Sequence, residues 1–136
     1  MRCLVVEDED FGRELVKCLL MDYAESIDTA NNGAEAVEQF ERALHEGRPY
    51  QLVCLDIMMP IMDGQEALKR MRQLEKGAVP PAGKPAVIIM TTALDSLQEI
   101  QEAIWQGDCD DYLVKPISQA DLVALLHKFK LTDRVA

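Results

Sequence analysis

Reactive side chains directly follow four of the apolar runs of this chain. Two adjacent acids, Glu7 and Asp8, come after the first run, and Asp56 ends the third. Thr92 closes the fourth run and Lys115 follows the fifth. Clustered carboxylates repel one another unless a cation joins them, and their hard oxygens suit Mg²⁺. A carboxylate can also accept a phosphoryl group while Mg²⁺ and an ammonium group neutralise the transferring oxygens, and a hydroxyl can then hydrogen-bond to the new group.

Each of these residues also has an ordinary structural interpretation when it is taken alone. Acids such as Glu7, Asp8 and Asp56 often cap the next helix or stay solvated at the end of a strand. Thr92 by itself would be a turn residue, and Lys115 before a proline would be a solvated loop residue. Because ligands of parallel α/β sheets bind outside the carboxyl ends of the strands, the joint placement of all five favours a functional site.

The elements that position these residues alternate in type along the chain. Apolar residues at helical spacing follow each apolar run: Phe11, Leu15, Cys18 and Leu19; Val37, Phe40 and Leu44; Leu68, Met71 and Leu74; Leu97, Ile100 and Ile104; Leu122, Leu125, Leu126 and Phe129. This alternation predicts an α/β fold, a (βα)5 doubly wound parallel sheet covered on both faces. The strongly apolar strands Cys3–Val6, Leu52–Leu55 and Ala86–Met90 are predicted to be central, and Ser26–Ala30 and Tyr112–Val114 are predicted to be edges.

Turn and capping residues mark the boundaries of these elements. Asn31-Asn32-Gly33 predicts a turn before the second helix, and Asp63-Gly64 opens the third. Ser118, with Asp121 three residues later, resembles a capping box for the last helix. Three prolines and two glycines between residues 77 and 85 predict an extended loop.

Length and charge limit the domain organisation and the kinds of partner that this chain can have. With 136 residues, the chain is expected to form one domain spanning positions 1–136. A net charge of −10, from 14 basic and 24 acidic residues, disfavours nucleic acid and anionic membrane surfaces as partners. No apolar run reaches the length of about 20 residues that a membrane span needs. The expected location is therefore the cytoplasm.

The cysteines give no sign of a disulfide framework or a metal site. The chain contains Cys3, Cys18, Cys54 and Cys109, and no two of them form a C-x-x-C pair. With only His45 and His127 available, no site of thiolate and imidazole ligands is visible. The four cysteines are predicted to be reduced and to serve as small buried apolar residues.

Four segments of the chain together resemble the receiver domains of response regulators. These segments, which occur in the family's order and spacing, are Leu4–Asp8, Asp56–Gly64, Met90–Ala93 and Tyr112–Pro116. The pattern D-x-x-M-P-x-M-D-G within the second segment is highly specific, and the resemblance covers nearly the whole chain. It implies a flavodoxin-like receiver fold with strand order 2-1-3-4-5.

The resemblance also implies a phosphorylation site with a metal cofactor. Asp56 would be the phosphoacceptor, served by a sensor histidine kinase or by a small phosphodonor. Asp8 and Asp56 would bind Mg²⁺ directly, together with the backbone carbonyl of Met58. Glu7, which stands where the family usually has aspartate, would reach the metal through water.

Further residues are implied to sense the phosphoryl group. Lys115 would pair with Asp56 and then with the phosphoryl oxygens. Thr92 would move to hydrogen-bond to the new group, and Tyr112 would rotate inward beside it, as a two-state switch. The bond between Lys115 and Pro116 is expected to be cis.

Two positions beside the site suggest that the phosphorylated state lasts. Related receivers can carry acids or amides two residues after the phosphoacceptor and two residues after the switch threonine, where they orient the attacking water. Here these positions hold Met58 and Leu94, and neither side chain hydrogen-bonds strongly. We therefore hypothesise slow loss of the phosphoryl group.

The output of such a domain is expected to pass through another protein. The chain is predicted to carry no output domain, and the face of the fourth and fifth helices would contact the partner or support a phosphorylation-dependent dimer. The candidates for that face are Ile104, Trp105, Tyr112 and parts of Asp121–Lys130. An alternative role is a phosphorelay intermediate that passes its phosphoryl group to a histidine phosphotransfer protein. An aspartyl phosphatase typically has a second aspartate where Met58 stands, and a purely structural receiver would lack Asp56, Asp8 or Lys115.

Overall fold

The fold is built on one five-stranded parallel sheet. The computed structural model describes residues 1–59, 61–78, 83–93, 98, 101 and 108–132. The strands are β1 (Arg2–Val6), β2 (Ser26–Ala30), β3 (Leu52–Asp56), β4 (Val87–Thr92) and β5 (Asp111–Val114). Their order is β2-β1-β3-β4-β5, so the predicted order and the two mixed edge strands are confirmed.

Four helices are described on the faces of this sheet. They are α1 (Asp10–Leu20), α2 (Gly33–His45), α3 (Gly64–Lys76) and, in our numbering, α4 (Gln119–Lys128). The predicted helix with Leu97, Ile100 and Ile104 and parts of the predicted 77–85 loop lie outside the described residues. In the described part of the chain, no helix combines the length and apolar character needed to cross a membrane.

Side-chain caps confirm three predicted helix starts. The side chain of Asn32 accepts a hydrogen bond from the backbone N–H of Glu35 at 2.8 Å, which caps α2. Asp63 caps α3 by accepting from the N–H of Glu66 at 2.9 Å, and Ser118 caps α4 by accepting from the N–H of Asp121 at 3.1 Å. Such caps satisfy backbone donors that the first helical turn leaves unpaired.

The sheet separates two apolar cores, because successive side chains of a strand point to opposite faces. Leu4 and Val6 of β1 pack into the core beneath α2 and α3. Cys3 and Val5 pack into the other core, which includes residues of α1 and α4. Burial on both faces explains why the central strands are continuously apolar.

The buried face of α1 differs from the prediction. Phe11 is 81 % exposed and Cys18 is exposed, whereas Val16 and Leu20 are buried. Gly12 lies on the same face as Val16 and Leu20, at four-residue spacing, with its backbone close to Glu7. Glycine has no apolar side chain, so the sequence pattern did not mark this face. It favoured instead the helix face that begins at Phe11.

Three of the four cysteines behave as predicted. Cys3, Cys54 and Cys109 are buried, and all four are unpaired, but Cys18 is exposed and the prediction that it lies in the core is wrong. Burial raises the pKa of Cys3 to about 12 and that of Cys109 to about 11. These two thiols therefore stay protonated at neutral pH, as structural cysteines do.

Candidate functional site

Parallel pairing brings the predicted site residues to one edge of the sheet. Asp56, the last residue of β3, is in register with Thr91 of β4, and Thr92 is in register with Val114 of β5. Lys115 follows β5 directly, and its backbone N–H donates to the carbonyl of Thr92 at 2.7 Å. The alternation of strands and helices thus places the acids, the hydroxyl and the ammonium group together at the carboxyl ends of the strands.

Three carboxyl groups form one cluster there. Oxygen atoms of Glu7, Asp8 and Asp56 lie within 4.8 Å of one another. Glu7 and Asp56 are buried, at 3 % and 4 % exposure, whereas Asp8 is exposed. The cluster is therefore open on the side of Asp8 and closed on the side of the sheet.

Lys115 is the ammonium group of this cluster, but its shorter contact is with Glu7. Its Nζ lies 2.9 Å from Glu7 Oε2 and 3.4 Å from Asp56 Oδ2. The resemblance implied that Lys115 pairs with Asp56 and that Glu7 reaches the metal through water, so the contact between Lys115 and Glu7 was not predicted. Glutamate is one methylene longer than aspartate, and here its carboxylate lies within hydrogen-bonding distance of the ammonium group.

The charges of the cluster are not balanced by the described side chains. Burial, together with the nearby charge of Glu7, raises the pKa of Asp56 to about 7, although Lys115 opposes this shift. Burial acts to lower the pKa of Lys115, but its hydrogen bond to Glu7 and the charge of Asp56 outweigh burial and raise it. Lys115 thus stays charged, and three carboxyl groups share one cation.

This donor set fits a divalent cation such as Mg²⁺. Carboxylate oxygens are the hard ligands that Mg²⁺ prefers, and the exposed Asp8 leaves room for the waters that this ion keeps. A divalent cation would also offset the repulsion by Glu7 that, after burial, raises the pKa of Asp56. The residues present are therefore suited to bind such an ion.

The loop after β3 brings the backbone close to Asp56. The N–H of Met58 donates to Asp56 Oδ1 at 3.3 Å, while the Met58 side chain is 65 % exposed. Gly64 donates its N–H to the carbonyl of Ile57 at 2.9 Å. A Cβ atom at position 64 would lie 2.3 Å from the Asp56 carbonyl oxygen, so only glycine permits this approach. The Asp63-Gly64 pair signalled the turn but not this contact.

The two predicted switch residues lie on the same face of the sheet. Tyr112 is in register with Met90, two residues before Thr92. Thr92 is 1 % exposed, and its hydroxyl donates to the carbonyl of Ala93 at 2.9 Å. Tyr112 is 38 % exposed. The peptide bond between Lys115 and Pro116 is cis, as expected.

The comparison with known proteins identifies the family. Residues 3–127 match the family model of the response regulator receiver domain. The chain belongs to this family. It is a receiver domain of two-component signalling, and its sheet order is that of the receiver fold.

Relatives of this receiver domain cover most of its length. The two-component response regulator ORR41 of Oryza sativa subsp. japonica is 34 % identical over 96 % of this chain and 95 % of its own. The chemotaxis protein CheY of Halobacterium salinarum is 34 % identical over 88 % of each chain. One similar solved structure is 26 % identical to this chain. It is the receiver domain of the sensor histidine kinase PA1611 from Pseudomonas aeruginosa PAO1, with a magnesium ion coordinated in its active-site cleft. It has a TM-score of 0.73 and covers 93 % of this chain and 94 % of its own.

Sequence reasoning missed one residue that supports the site of this receiver domain. The guanidinium group of Arg13 donates to the backbone carbonyl of Glu7 at 3.0 Å, and it also forms an ion pair with Asp10. Arg13 thereby ties α1 to the end of β1, although no local pattern marks an arginine in that position. The helix and the acid cluster are held together by this contact.

Proposed function

We propose that this receiver domain accepts a phosphoryl group on Asp56, from the phosphohistidine of a sensor histidine kinase or from a small phosphodonor. The observation that carries the proposal is the buried Asp56 carboxyl group, which shares one cluster with two other acids and the Lys115 ammonium group. Membership of the receiver family supports the same role.

Mg²⁺ is the proposed cofactor of this site. Asp8, Asp56 and the backbone carbonyl of Met58 would hold the ion directly, and Glu7 would hold it through water. When bound, the ion neutralises negative charge on the transferring oxygens. The magnesium ion named for the receiver domain of PA1611 supports this assignment.

The transfer itself exchanges one bond for another. An Asp56 carboxylate oxygen attacks phosphorus, and the bond between phosphorus and the donor's imidazole nitrogen breaks. The electron pair of that bond returns to the nitrogen. Lys115, held 3.4 Å from Asp56 Oδ2, stabilises the negative charge of the phosphoryl oxygens. Loss of the group follows when water attacks phosphorus, which releases inorganic phosphate and the free carboxylate.

Thr92 and Tyr112 are proposed to convert the new phosphoryl group into a change of surface. The Thr92 hydroxyl would exchange its bond to the Ala93 carbonyl for one to a phosphoryl oxygen. The exposed Tyr112 ring would then rotate inward on the same face of the sheet. The altered face, which includes Tyr112 and α4, would bind a downstream protein or a second phosphorylated copy. Ile104 and Trp105, also expected on it, lie outside the described residues.

The assignment of Asp56 is tested by phosphorylation with a small acyl phosphate and Mg²⁺. Intact-mass measurement is expected to show one added phosphoryl group on the wild type and none on Asp56→Asn. Asp63→Asn is the matched control, because it makes the same change at the end of the loop that follows β3, where asparagine still caps α3. Equal phosphorylation of the Asp56→Asn variant would overturn the proposal.

The lifetime of the phosphoryl group tests the role of Met58. Its side chain offers no strong hydrogen bond to an attacking water; Leu94, the other position in this hypothesis, lies outside the described residues. Loss of phosphate from the labelled wild type is expected to take minutes or longer. Met58→Asn is expected to speed this loss by at least about tenfold. A wild-type lifetime of seconds would contradict the hypothesis.

A further inference from the structure

Gly12 lies where the glutamate side chain of the acid cluster passes beneath α1. A Cβ atom at position 12 would stand 3.3 Å from both Cγ and Cδ of Glu7, and 3.5 Å from its Oε1. The two distances of 3.3 Å are tighter than ordinary van der Waals contact, whereas the distance to Oε1 is an ordinary contact. Glu7 is 3 % exposed, so its side chain has little open space into which it could move.

The carboxyl group of Glu7 is also held from the other side. Lys115 Nζ contacts its Oε2 at 2.9 Å, and the same ammonium group contacts Asp56 at 3.4 Å. Arg13, the next residue of α1, fixes the backbone carbonyl of Glu7 at 3.0 Å. A Cβ atom at position 12 would therefore shift the Glu7 carboxylate against Lys115 and Asp56, or push α1 away from the sheet.

We propose that Gly12 is a positioning residue that makes room for a glutamate, in place of an aspartate, at the first acidic position of the site. This inference rests on the proposed function, because it concerns the same acid cluster. Glycine is disfavoured in helices relative to alanine, and the space it leaves is filled by the Glu7 side chain. Gly12 and Glu7 then act as a pair: the longer acid reaches Lys115 only where the helix lacks a Cβ atom.

A cycle of four proteins tests the pair: the wild type, Gly12→Ala, Glu7→Asp and the double variant. Mg²⁺ affinity is measured by titration calorimetry, and stability by urea unfolding without metal. Gly12→Ala alone is expected to weaken Mg²⁺ binding about tenfold and to lower stability. Combined with Glu7→Asp, the same change is expected to alter affinity by less than about twofold and to raise stability, because alanine is the better helix former.

Gly77→Ala serves as the control for a glycine far from the site. A Cβ atom there meets only the carbonyl oxygen of Gln73, at an ordinary 3.6 Å. Its Mg²⁺ affinity is expected to equal that of the wild type. A Gly12→Ala protein that folds only together with Glu7→Asp would also support the pair.

Other outcomes would overturn the inference. Position 12 would not act through Glu7 if Gly12→Ala had an equal effect in the wild-type and Glu7→Asp proteins, or no effect in either. The same conclusion would follow if Gly12→Ala prevented folding in both. A different result marks failure of the proposed function: none of the four proteins, the wild type included, would bind Mg²⁺ or accept a phosphoryl group.

Discussion

Charged side chains meet at both ends of the sheet, and the two groups differ in how far their charges are compensated. At the carboxyl ends of the strands, the described residues place Glu7, Asp8 and Asp56 in one cluster, and the Lys115 ammonium group contacts Glu7 and Asp56. At the other end, Arg72 of α3 lies between Glu75 and Asp110. Both groups contain carboxylates that are largely withdrawn from solvent, so burial alone does not distinguish them.

The group around Arg72 is satisfied by hydrogen bonds. The guanidinium donates to Glu75 at 2.8 Å, to Asp110 at 2.9 Å, and to the carbonyls of Asp108 and Ala86 at 2.8 Å each. The two carboxylates in turn accept from the backbone N–H groups of Ala86, at 2.6 Å, and Ile88, at 2.8 Å. This network ties α3 to β4 and to the residues before β5.

The contrast is between a cluster that joins elements of the fold and the cluster that is proposed to accept a phosphoryl group. Around Arg72 each charge has near partners, and removal of the guanidinium group would leave the largely buried Glu75 carboxylate without a cation. The Arg72 group has two carboxylates for one guanidinium, whereas the Asp56 group has three carboxyl groups for one ammonium group, and this larger excess of negative charge suits a divalent cation. This larger charge imbalance lies at the end of the sheet where phosphorylation is proposed.

Removal of Arg72 is expected to produce the largest loss of stability. Arg72→Met should lower the free energy of unfolding by about 2–3 kcal/mol, because it removes four hydrogen bonds of the guanidinium group and leaves the largely buried Glu75 carboxylate without a cation. Urea unfolding measures this change. Arg70→Met, on the same helix, removes an exposed pair with Glu66 and should cost less than about 1 kcal/mol. Equal losses for the two variants would show that the Arg72 network is not structural.

Removal of charge at Asp56 is expected to act in the opposite direction. Without metal at pH 8, Asp56→Asn should raise the free energy of unfolding by between about 1 and 4 kcal/mol, because a buried like charge disappears. Asp63→Asn, whose cap is retained, should leave stability nearly unchanged. A loss of stability in the Asp56→Asn variant would contradict the inference that excess negative charge at this site destabilises the metal-free protein.

The same imbalance predicts a pH dependence. The pKa of Asp56 is raised from 3.8 to about 7, so its protonated form favours the folded state. Its contribution is fully present below pH 3.8 and is lost as the pH rises through 7. Urea unfolding of the metal-free protein should show this loss in the wild type and not in Asp56→Asn. Parallel profiles for the two proteins would argue against a raised pKa.

A smaller effect is expected from the strained loop next to the site. Ile61 has a left-handed backbone with φ 71°, a conformation that β-branched residues rarely adopt, and its side chain is 84 % exposed. Ile61→Asn should therefore raise the free energy of unfolding by about 1 kcal/mol, since asparagine tolerates this conformation. Ile61→Ala removes the same exposed side chain, but alanine adopts the left-handed conformation less readily than asparagine. Its increase in the free energy of unfolding should therefore be smaller. A loss of stability in the asparagine variant would show that Ile61 makes a needed contact.

The sequence was most informative where local patterns determine the structure. Apolar runs and capping residues predicted the strands, the order of elements and the convergence of Asp8, Asp56 and Lys115. Contacts between distant elements were not predictable: Arg72 meets Asp110 from 38 residues away. The shorter contact of Lys115 with Glu7 and the buried face of α1 also depend on the close approach at Gly12, which no periodic pattern signals.

The most direct test of the contrast is to find which carboxylate becomes phosphorylated. The protein would be treated with a small acyl phosphate, with and without Mg²⁺. The phosphorylated carboxylate of the protein would then be reduced with borohydride, and peptide mass spectrometry would locate the reduced residue. We expect modification at Asp56 alone, and only with Mg²⁺ present. Modification of Glu75 or Asp110, or equal modification of Asp56 without a divalent cation, would contradict the assignment of the two clusters.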